Sequence, residues 1–190
     1  MKRRTPSGCP ADTLLEPSPL VRRFASKIAD AAAGKAVVDV ACGSGRNAVL
    51  LAQLGCTTIC VDKDLTRVET QLLRLRRTSF RRASTRLILQ QLDLVKDPWP
   101  FGPCSVGGIV NVHFFLPALF PHFESSLSPN GYLLLETVPG CGGNYSELPK
   151  AGEVRGALEK TLDFEVYKEG KVGPHGYDAV TVQVLARRTE

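Results

Sequence analysis

Between residues 36 and 62 a β-branched run, a glycine-rich turn, a helical stretch and a second apolar run follow one another closely, and few folds accept that order. The run Ala36-Val37-Val38-Asp39-Val40 suits a parallel strand buried on both faces better than an exposed one. It ends at Ala41-Cys42-Gly43-Ser44-Gly45, after which Arg46 to Leu54 restores helical spacing and Gly55 stops it. Thr57-Thr58-Ile59-Cys60-Val61 is the next apolar strand, closed by the polar group Asp62-Lys63-Asp64. Strand, helix and strand make a βαβ unit, whose two strands run parallel in one sheet.

The rest of the chain extends that pattern. Ser18-Pro19, a cap followed by proline at the first helical position, opens a helix over residues 19–33, with Leu20, Val21, Phe24 and Ile28 on one face and Gly34 beyond its end. Leu65 to Leu75 is the next helix after the βαβ unit, Leu87 to Leu92 the third strand and Val106 to Val112 the fourth. Only a loop carrying Pro98, Pro100 and Pro103 joins those two strands. A helix over Leu116 to Leu127 and the turn Ser128-Pro129-Asn130-Gly131 lead into a fifth strand, Tyr132 to Thr137. Beyond a glycine-rich loop (Gly140, Gly142, Gly143), the pattern predicts a helix over Ala151 to Lys160. Alternation in Asp163–Glu169 and Ala179–Ala186 then predicts a closing antiparallel hairpin, with Gly173-Pro174-His175-Gly176 in its connection.

At 190 residues and 43% hydrophobic, the chain is expected to bury one core, as a domain over 13–190 behind a flexible tail at 1–12. The longest apolar stretch, Ile109 to Phe123, is broken by Asn111, His113, Pro117 and Pro121 and is too short to cross a bilayer. Thr5 to Asp12 supplies no apolar run for a secretory signal, so a cytoplasmic location is expected. The six cysteines form no Cys-x-x-Cys pair and read as reduced thiols. With three histidines at no metal-ligand spacing, a zinc site is not expected.

Charge is concentrated. Arg74, Arg76, Arg77, Arg81, Arg82 and Arg86 contribute six positives in an acid-free stretch, more than the whole formal charge of +5. Such a cluster suits phosphates, although Phe80 is the only ring near it for base stacking, and a solvated helix end is the plainer reading.

Two cofactors fit the glycine turn. Gly43, Gly45 and Ala48 satisfy the Gly-x-Gly-x-x-Gly/Ala pattern that brings backbone close to a dinucleotide's pyrophosphate, and Asp62 follows Gly43 by 19 residues, where a ribose-binding acid is found. Asp39, four residues before Gly43, would repel that pyrophosphate. It would instead favour S-adenosylmethionine, which carries a sulfonium and an ammonium and no phosphate. A dinucleotide enzyme would also need a second βαβαβ half, where this chain has the hairpin.

The segment Val37-Val38-Asp39-Val40-Ala41-Cys42-Gly43-Ser44-Gly45-Arg46-Asn47-Ala48 resembles the first motif of class I S-adenosylmethionine-dependent methyltransferases. The likeness spans about residues 12–188, with Val61-Asp62, Gln91-Leu92-Asp93-Leu94 and Ser128-Pro129-Asn130-Gly131-Tyr132-Leu133 in the family's order. Within the class, the Gly-x-Gly-Arg-Asn loop and compact size most resemble small bacterial tellurite-resistance-type enzymes. The resemblance implies a doubly wound, Rossmann-like α/β fold with a mainly parallel seven-stranded sheet of order 3-2-1-4-5-7-6, strand 7 antiparallel. It implies that Asp39, Ala41, Gly43, Gly45, Arg46 and Asn47 cradle the methionine part, that Asp62 grips the ribose with Lys63 beside it, and that Leu92, Asp93 and Leu94 frame the adenine. Asn111, after strand four, would face the sulfonium. One departure is Gly107-Gly108, where many relatives carry an acid at the start of strand four.

Methyl transfer is an in-line displacement, so holding the acceptor about 3 Å from the methyl group matters most, and a base helps when the acceptor must lose a proton. His113, at the carboxyl end of strand four, is the catalytic candidate for that base, with the ordering of its loop as the plain alternative. Tyr145, behind the glycine-rich loop with Asn144, is the candidate for positioning an acceptor. His122 and His175 read as structural or exposed, Phe114 and Phe115 as pocket or core, and Cys42 as a small buried filler. The roles of Glu136 and Thr137, at the end of strand five, stay open. A small-molecule acceptor, with S-adenosylhomocysteine as by-product, is the leading expectation. RNA methylation through the Arg74–Arg86 cluster and a catalytically silent cofactor-binding partner protein are the alternatives, and a nicotinamide oxidoreductase is last.

Overall fold

The computed structural model describes residues 16–76, 81–138, 145–173 and 178–189. The expected tail at 1–12, Phe80, Gly140 to Asn144 and His175 lie outside them. The order of elements is α1 (Pro19–Ala31), β1 (Val37–Val40), α2 (Arg46–Gln53), β2 (Thr58–Asp62), α3 (Thr66–Leu75), α4 (Arg81–Ser84) and β3 (Leu87–Gln91). β4 (Val106–Val112), α5 (Phe120–Ser126), β5 (Leu127–Glu136), α6 (Glu153–Leu158), β6 (Leu162–Val172) and β7 (Ala179–Arg188) complete it. The strands form one seven-stranded sheet of order β3-β2-β1-β4-β5-β7-β6, as expected. β1 pairs parallel with β2 and β4, β4 parallel with β5, and β7 antiparallel with β5 and β6.

α1 starts where Ser18 Oγ accepts the Leu20 N–H at 3.1 Å and Pro19 occupies the position whose own N–H would have no helical partner. Its face Leu20, Val21, Ala25 and Ile28 is buried with Val37, Val110, Val112, Tyr132 and Leu134 on one side of the sheet. The other side carries Val38, Val40, Ile109, Leu133 and Leu135 against Phe120 and Phe123 of α5 and Val154 and Leu158 of α6. The Gly107-Gly108 departure has a packing reason. A Cβ on Gly107 would lie 2.5 Å from Ala32 Cα, and one on Gly108 would lie 2.9 Å from Ile28 Cγ2, so the pair lets α1 rest directly on β4.

Two expectations are corrected, and one element is new. The helix foreseen over Leu116–Leu127 is a 3-10 turn at Pro117–Leu119 followed by α5, because Pro117 and Pro121 each lack the N–H that a continuous helix needs. Strand five starts at Leu127, which pairs with Val106 before the register shifts to Gly108 opposite Tyr132; Ser128–Gly131 forms the intervening bulge, with Asn130 left-handed at φ 66°. The short helix α4 has no counterpart in the sequence reading. The proline-rich link between β3 and β4 is a loop, as read, and it covers the sheet with Trp99, whose ring centroid lies 5.3 Å from that of Phe123.

Candidate functional site

The carboxyl ends of β1, β2, β4 and β5 form one rim, where ligands sit in open α/β sheets. β1 runs out into three left-handed residues, Ala41 (φ 51°), Gly43 (φ 56°) and Gly45 (φ 72°), which fold the chain tightly before α2. At Gly45 the need for glycine is twofold, since a Cβ there would also lie 2.5 Å from Val68 Cγ2.

Two carboxylates hold this loop from opposite sides. Asp62 Oδ2 accepts the Gly43 N–H at 2.8 Å and its Oδ1 accepts the Asp64 N–H at 3.1 Å. Asp39 Oδ2 accepts the Ala48 N–H at 3.1 Å, doing for the N-terminus of α2 what the side-chain-less cap Gly45 does not. Asp39 is only 1% exposed. Burial pushes its carboxyl up to about 7; the Ala48 N–H and the Arg46 charge oppose that rise and Asp62 adds to it. Cys42, between them, is held well above its usual range by a hydrogen bond with Cys60 and by burial, which keeps it a protonated filler.

The other expected cofactor residues converge on the same rim. Lys63 follows Asp62, and its carbonyl accepts from Gln91 Nε2 at 3.0 Å, while the Leu92 N–H donates to the Asp62 carbonyl at 3.0 Å. Asp93 accepts the Val95 N–H at 3.1 Å, a bond that holds its carboxyl below the ordinary range, and pairs with Lys96 at 3.3 Å. Leu94 packs into the core beneath. Asn111 lies inside β4, opposite Val40, rather than after the strand. Its Oδ1 is the buried side-chain atom without a hydrogen-bond partner among the described residues. Such an acceptor is costly to leave unpaired.

His113 directly follows β4 with a left-handed backbone, φ 66°, uncommon for a residue with a side chain, and its N–H donates to the Glu136 carbonyl at 2.8 Å. Burial holds its imidazole below the usual range, the Arg46 charge pushes the same way and Glu136 opposes them. His113 and Lys63 line a cavity of about 360 Å³ together with Phe114, Phe115, Thr137, Val138, Glu147 and Leu148. Tyr145 opens the 3-10 turn Tyr145–Glu147 that brings the last two to the wall, and is not itself among the lining residues.

Sequence reasoning assigns no contact to the segment before α1, and the structure ties that segment to this rim. The Ser18 N–H donates to Asn47 Oδ1 at 3.0 Å, Ser18 Oγ donates to Glu136 Oε2, and Gln183 Nε2 donates to Glu136 Oε1 at 2.8 Å. Arg46 Nη1 reaches the Glu16 carbonyl at 3.3 Å. Ser18 and Glu136 are 118 positions apart, so no local pattern announces the pair. Ser18→Ala removes both the α1 cap and a donor to a buried carboxylate. It is expected to cost about 2 kcal/mol, read from the urea midpoint, and to speed amide exchange in the first turn of α1.

No family model and no curated protein matches the sequence. Solved structures do match. Geranyl diphosphate C-methyltransferase from Streptomyces coelicolor A3(2), in complex with Mg2+, geranyl diphosphate and S-adenosyl-L-homocysteine, aligns with a TM-score of 0.65 at 14% identity, over 88% of this chain and 80% of that one. The N-methyltransferase NodS from Bradyrhizobium japonicum WM9, in complex with S-adenosyl-L-homocysteine, aligns at 0.61 and 14% identity over 97% and 94%. TehB from Haemophilus influenzae aligns at 0.60 and 17% identity over 86% of this chain and 62% of that one. With the strand order, the antiparallel β7 and the glycine loop at the end of β1, these likenesses give the chain the Rossmann-like α/β fold of class I S-adenosylmethionine-dependent methyltransferases.

Proposed function

We propose that this chain transfers a methyl group from S-adenosylmethionine to a small-molecule acceptor, with S-adenosylhomocysteine as the by-product. The observation that carries the reading is the glycine loop held by Asp39 and Asp62, with a cavity on the same rim that Lys63, next to Asp62, lines together with His113. The orphaned Asn111 Oδ1 fits the cofactor too, since it is a buried acceptor at the rim where an N–H-bearing or cationic ligand would lie. When bound, the cofactor supplies a methyl group on a cationic sulfur, a reaction needing no electrons from the protein.

Asp39, Ala41, Gly43, Gly45, Arg46 and Asn47 shape the loop that holds the methionine part. Asp62 retains acceptor capacity for ribose hydroxyls beyond its two amide bonds. Lys63, Leu92, Asp93 and Leu94 border the base, and Asn111 approaches the sulfonium. Phe114, Phe115, Val138 and Leu148 give the acceptor an apolar berth. His113, held neutral at physiological pH, takes a proton from a hydroxyl or amine nucleophile, and Tyr145 orients the acceptor from its turn. Within the class we place the chain nearest the tellurite-resistance type, on the loop Gly43 to Asn47. We place its action in the cytoplasm; no helix among the described residues is long and apolar enough to cross a membrane, and Cys42, Cys56, Cys60 and Cys104 are unpaired.

Two observations bear on the rivals. The Gly107-Gly108 departure, which with the lack of an unambiguous base motivates a silent cofactor-binding partner protein, has a packing reason in α1. The arginine cluster that suggested RNA as acceptor lies at the opposite end of the strands from the cavity, because Arg86 immediately precedes β3.

Calorimetric titration with S-adenosylhomocysteine, with NADH as control, tests the reading. Micromolar binding of the first alone supports it, and binding of NADH alone would overturn it. Once an acceptor is found, His113→Asn, a residue that tolerates left-handed backbone, is expected to lower kcat about a hundred-fold with S-adenosylhomocysteine affinity unchanged. Wild-type rate should rise with pH through a value below the usual histidine range and plateau near neutrality, and the variant should lack that rise.

A further inference from the structure

The arginine-rich stretch is not absorbed by the site described above. No Asp or Glu occurs between Glu69 and Asp93, and Arg74, Arg76, Arg82 and Arg86 are all exposed. None of the four makes an ion pair with another described residue. Arg76, at the end of α3, and Arg82, in α4, face a cleft of about 460 Å³ whose floor is Ser84 and Thr85. Arg86 is fixed at the edge of the same region by its Nη1 bond to the Gly55 carbonyl at 2.7 Å, and its own carbonyl accepts the Thr58 N–H at 2.8 Å. These bonds anchor the patch at the amino ends of β2 and β3. The cofactor loop is at the carboxyl ends, one strand length of about 17 Å away.

From this arrangement we infer that the chain docks the phosphate backbone of a nucleic acid on the α3–α4–β3 corner, away from the catalytic rim and independent of the reaction there. Two exposed guanidiniums on the cleft, Arg76 and Arg82, with Arg74 and Arg86 exposed near it and none of the four in an ion pair among the described residues, match a chain of regularly spaced phosphates, which arginines bind with two-pronged hydrogen bonds. Contacts to phosphates carry no sequence information, so docking through these arginines is indifferent to sequence. A membrane surface fits less well. The apolar face of α3, Val68 and Leu72, is buried in the fold, so the helix has no such face to insert among lipids and only Leu73 stands exposed on it. Because the patch and the rim are at opposite ends of the sheet, docked nucleic acid leaves the cofactor loop open.

Fluorescence anisotropy of a labelled 20-nucleotide oligouridine with the full chain tests the inference. If four arginines each displace counterions from a phosphate, affinity should fall about 50-fold between 50 and 200 mM salt, on a slope of about −0.7 per contact. The double variant Arg76→Ala/Arg82→Ala, at exposed positions that should leave the thermal midpoint unchanged, is expected to reduce that loss to about 7-fold. Saturating S-adenosylhomocysteine should leave oligouridine affinity as it was. Equal affinity and salt slope in wild type and double variant would overturn the inference, as would displacement of the oligonucleotide by S-adenosylhomocysteine. Binding to phosphatidylserine vesicles without binding to oligouridine would overturn it in favour of a membrane surface. None of these readings needs methyl transfer, so the inference stands or falls separately from the proposed reaction.

Discussion

Gly107→Val is expected to leave the chain without a stable native state. Already at the Cβ, the new side chain would lie 2.5 Å from Ala32 Cα and 2.6 Å from the Ala32 carbonyl oxygen, both backbone atoms that no rotamer change can move. The backbone there is tied down: the Gly107 N–H donates to the Ala36 carbonyl at 2.8 Å and the Lys35 N–H to the Ala32 carbonyl at 2.9 Å. Relief requires α1 to lift from β4, which would expose Leu20, Val21, Ala25 and Ile28 together. Overpacking of one methyl in a rigid site costs about 3 kcal/mol, so Gly107→Ala should lower the urea midpoint clearly, and the two further methyls of valine should exceed what a domain with a margin of about 5–15 kcal/mol tolerates. Gly102→Ala, where an added Cβ meets nothing within 4 Å, is the control and should change little. A Gly107→Ala protein with the wild-type midpoint would mean that α1 does not lie against β4.

That pair of glycines marks where the sequence was legible and where it was not. The strands themselves could be read because β1, β2, β4 and β5 write apolar runs and the closing hairpin alternates, whereas their order and the antiparallel β7 came from the resemblance that the loop Ala41 to Gly45 carries. The helix over 116–127 was misread because Phe120 and Phe123 keep helical spacing while Pro117 and Pro121 remove donors, a loss that apolar periodicity does not register. In the candidate site, Asp39, Gly43, Gly45 and Asp62 are legible because they sit in one stretch joined by a motif. The Ser18–Glu136–Gln183 contacts are not, since they are made by tertiary packing alone. Gly107 was noticed as a missing acid, whereas its meaning depends on Ala32, which lies 75 positions before it and approaches only in the folded chain.

Asp39→Asn is expected to move stability and cofactor affinity in opposite directions, which few substitutions at a buried site do. The asparagine keeps an oxygen to accept the Ala48 N–H and so still caps α2, but it carries no charge. In the wild type, burial pushes the Asp39 carboxyl up to about 7 in the folded chain, whereas an unfolded chain gives up that proton near pH 4. Between those values the folded state binds more protons than the unfolded one, so this group lowers stability as pH rises through the window and leaves it lowered above pH 7. Removing the charge should therefore raise stability at pH 8 by on the order of 2 to 4 kcal/mol and change it little at pH 4, measured as urea midpoints at the two values. Binding should respond the other way. An ionised Asp39 behind the glycine loop favours the ammonium of S-adenosylhomocysteine, so wild-type affinity is expected to climb as pH passes about 7, while the variant binds on the order of 30-fold more weakly at pH 8 with no such climb. A variant that is both less stable and equally avid at pH 8 would show that Asp39 serves the helix and not the ligand. The combination expected here means that a costly buried carboxylate is kept in the fold for the charge it offers to what binds above it.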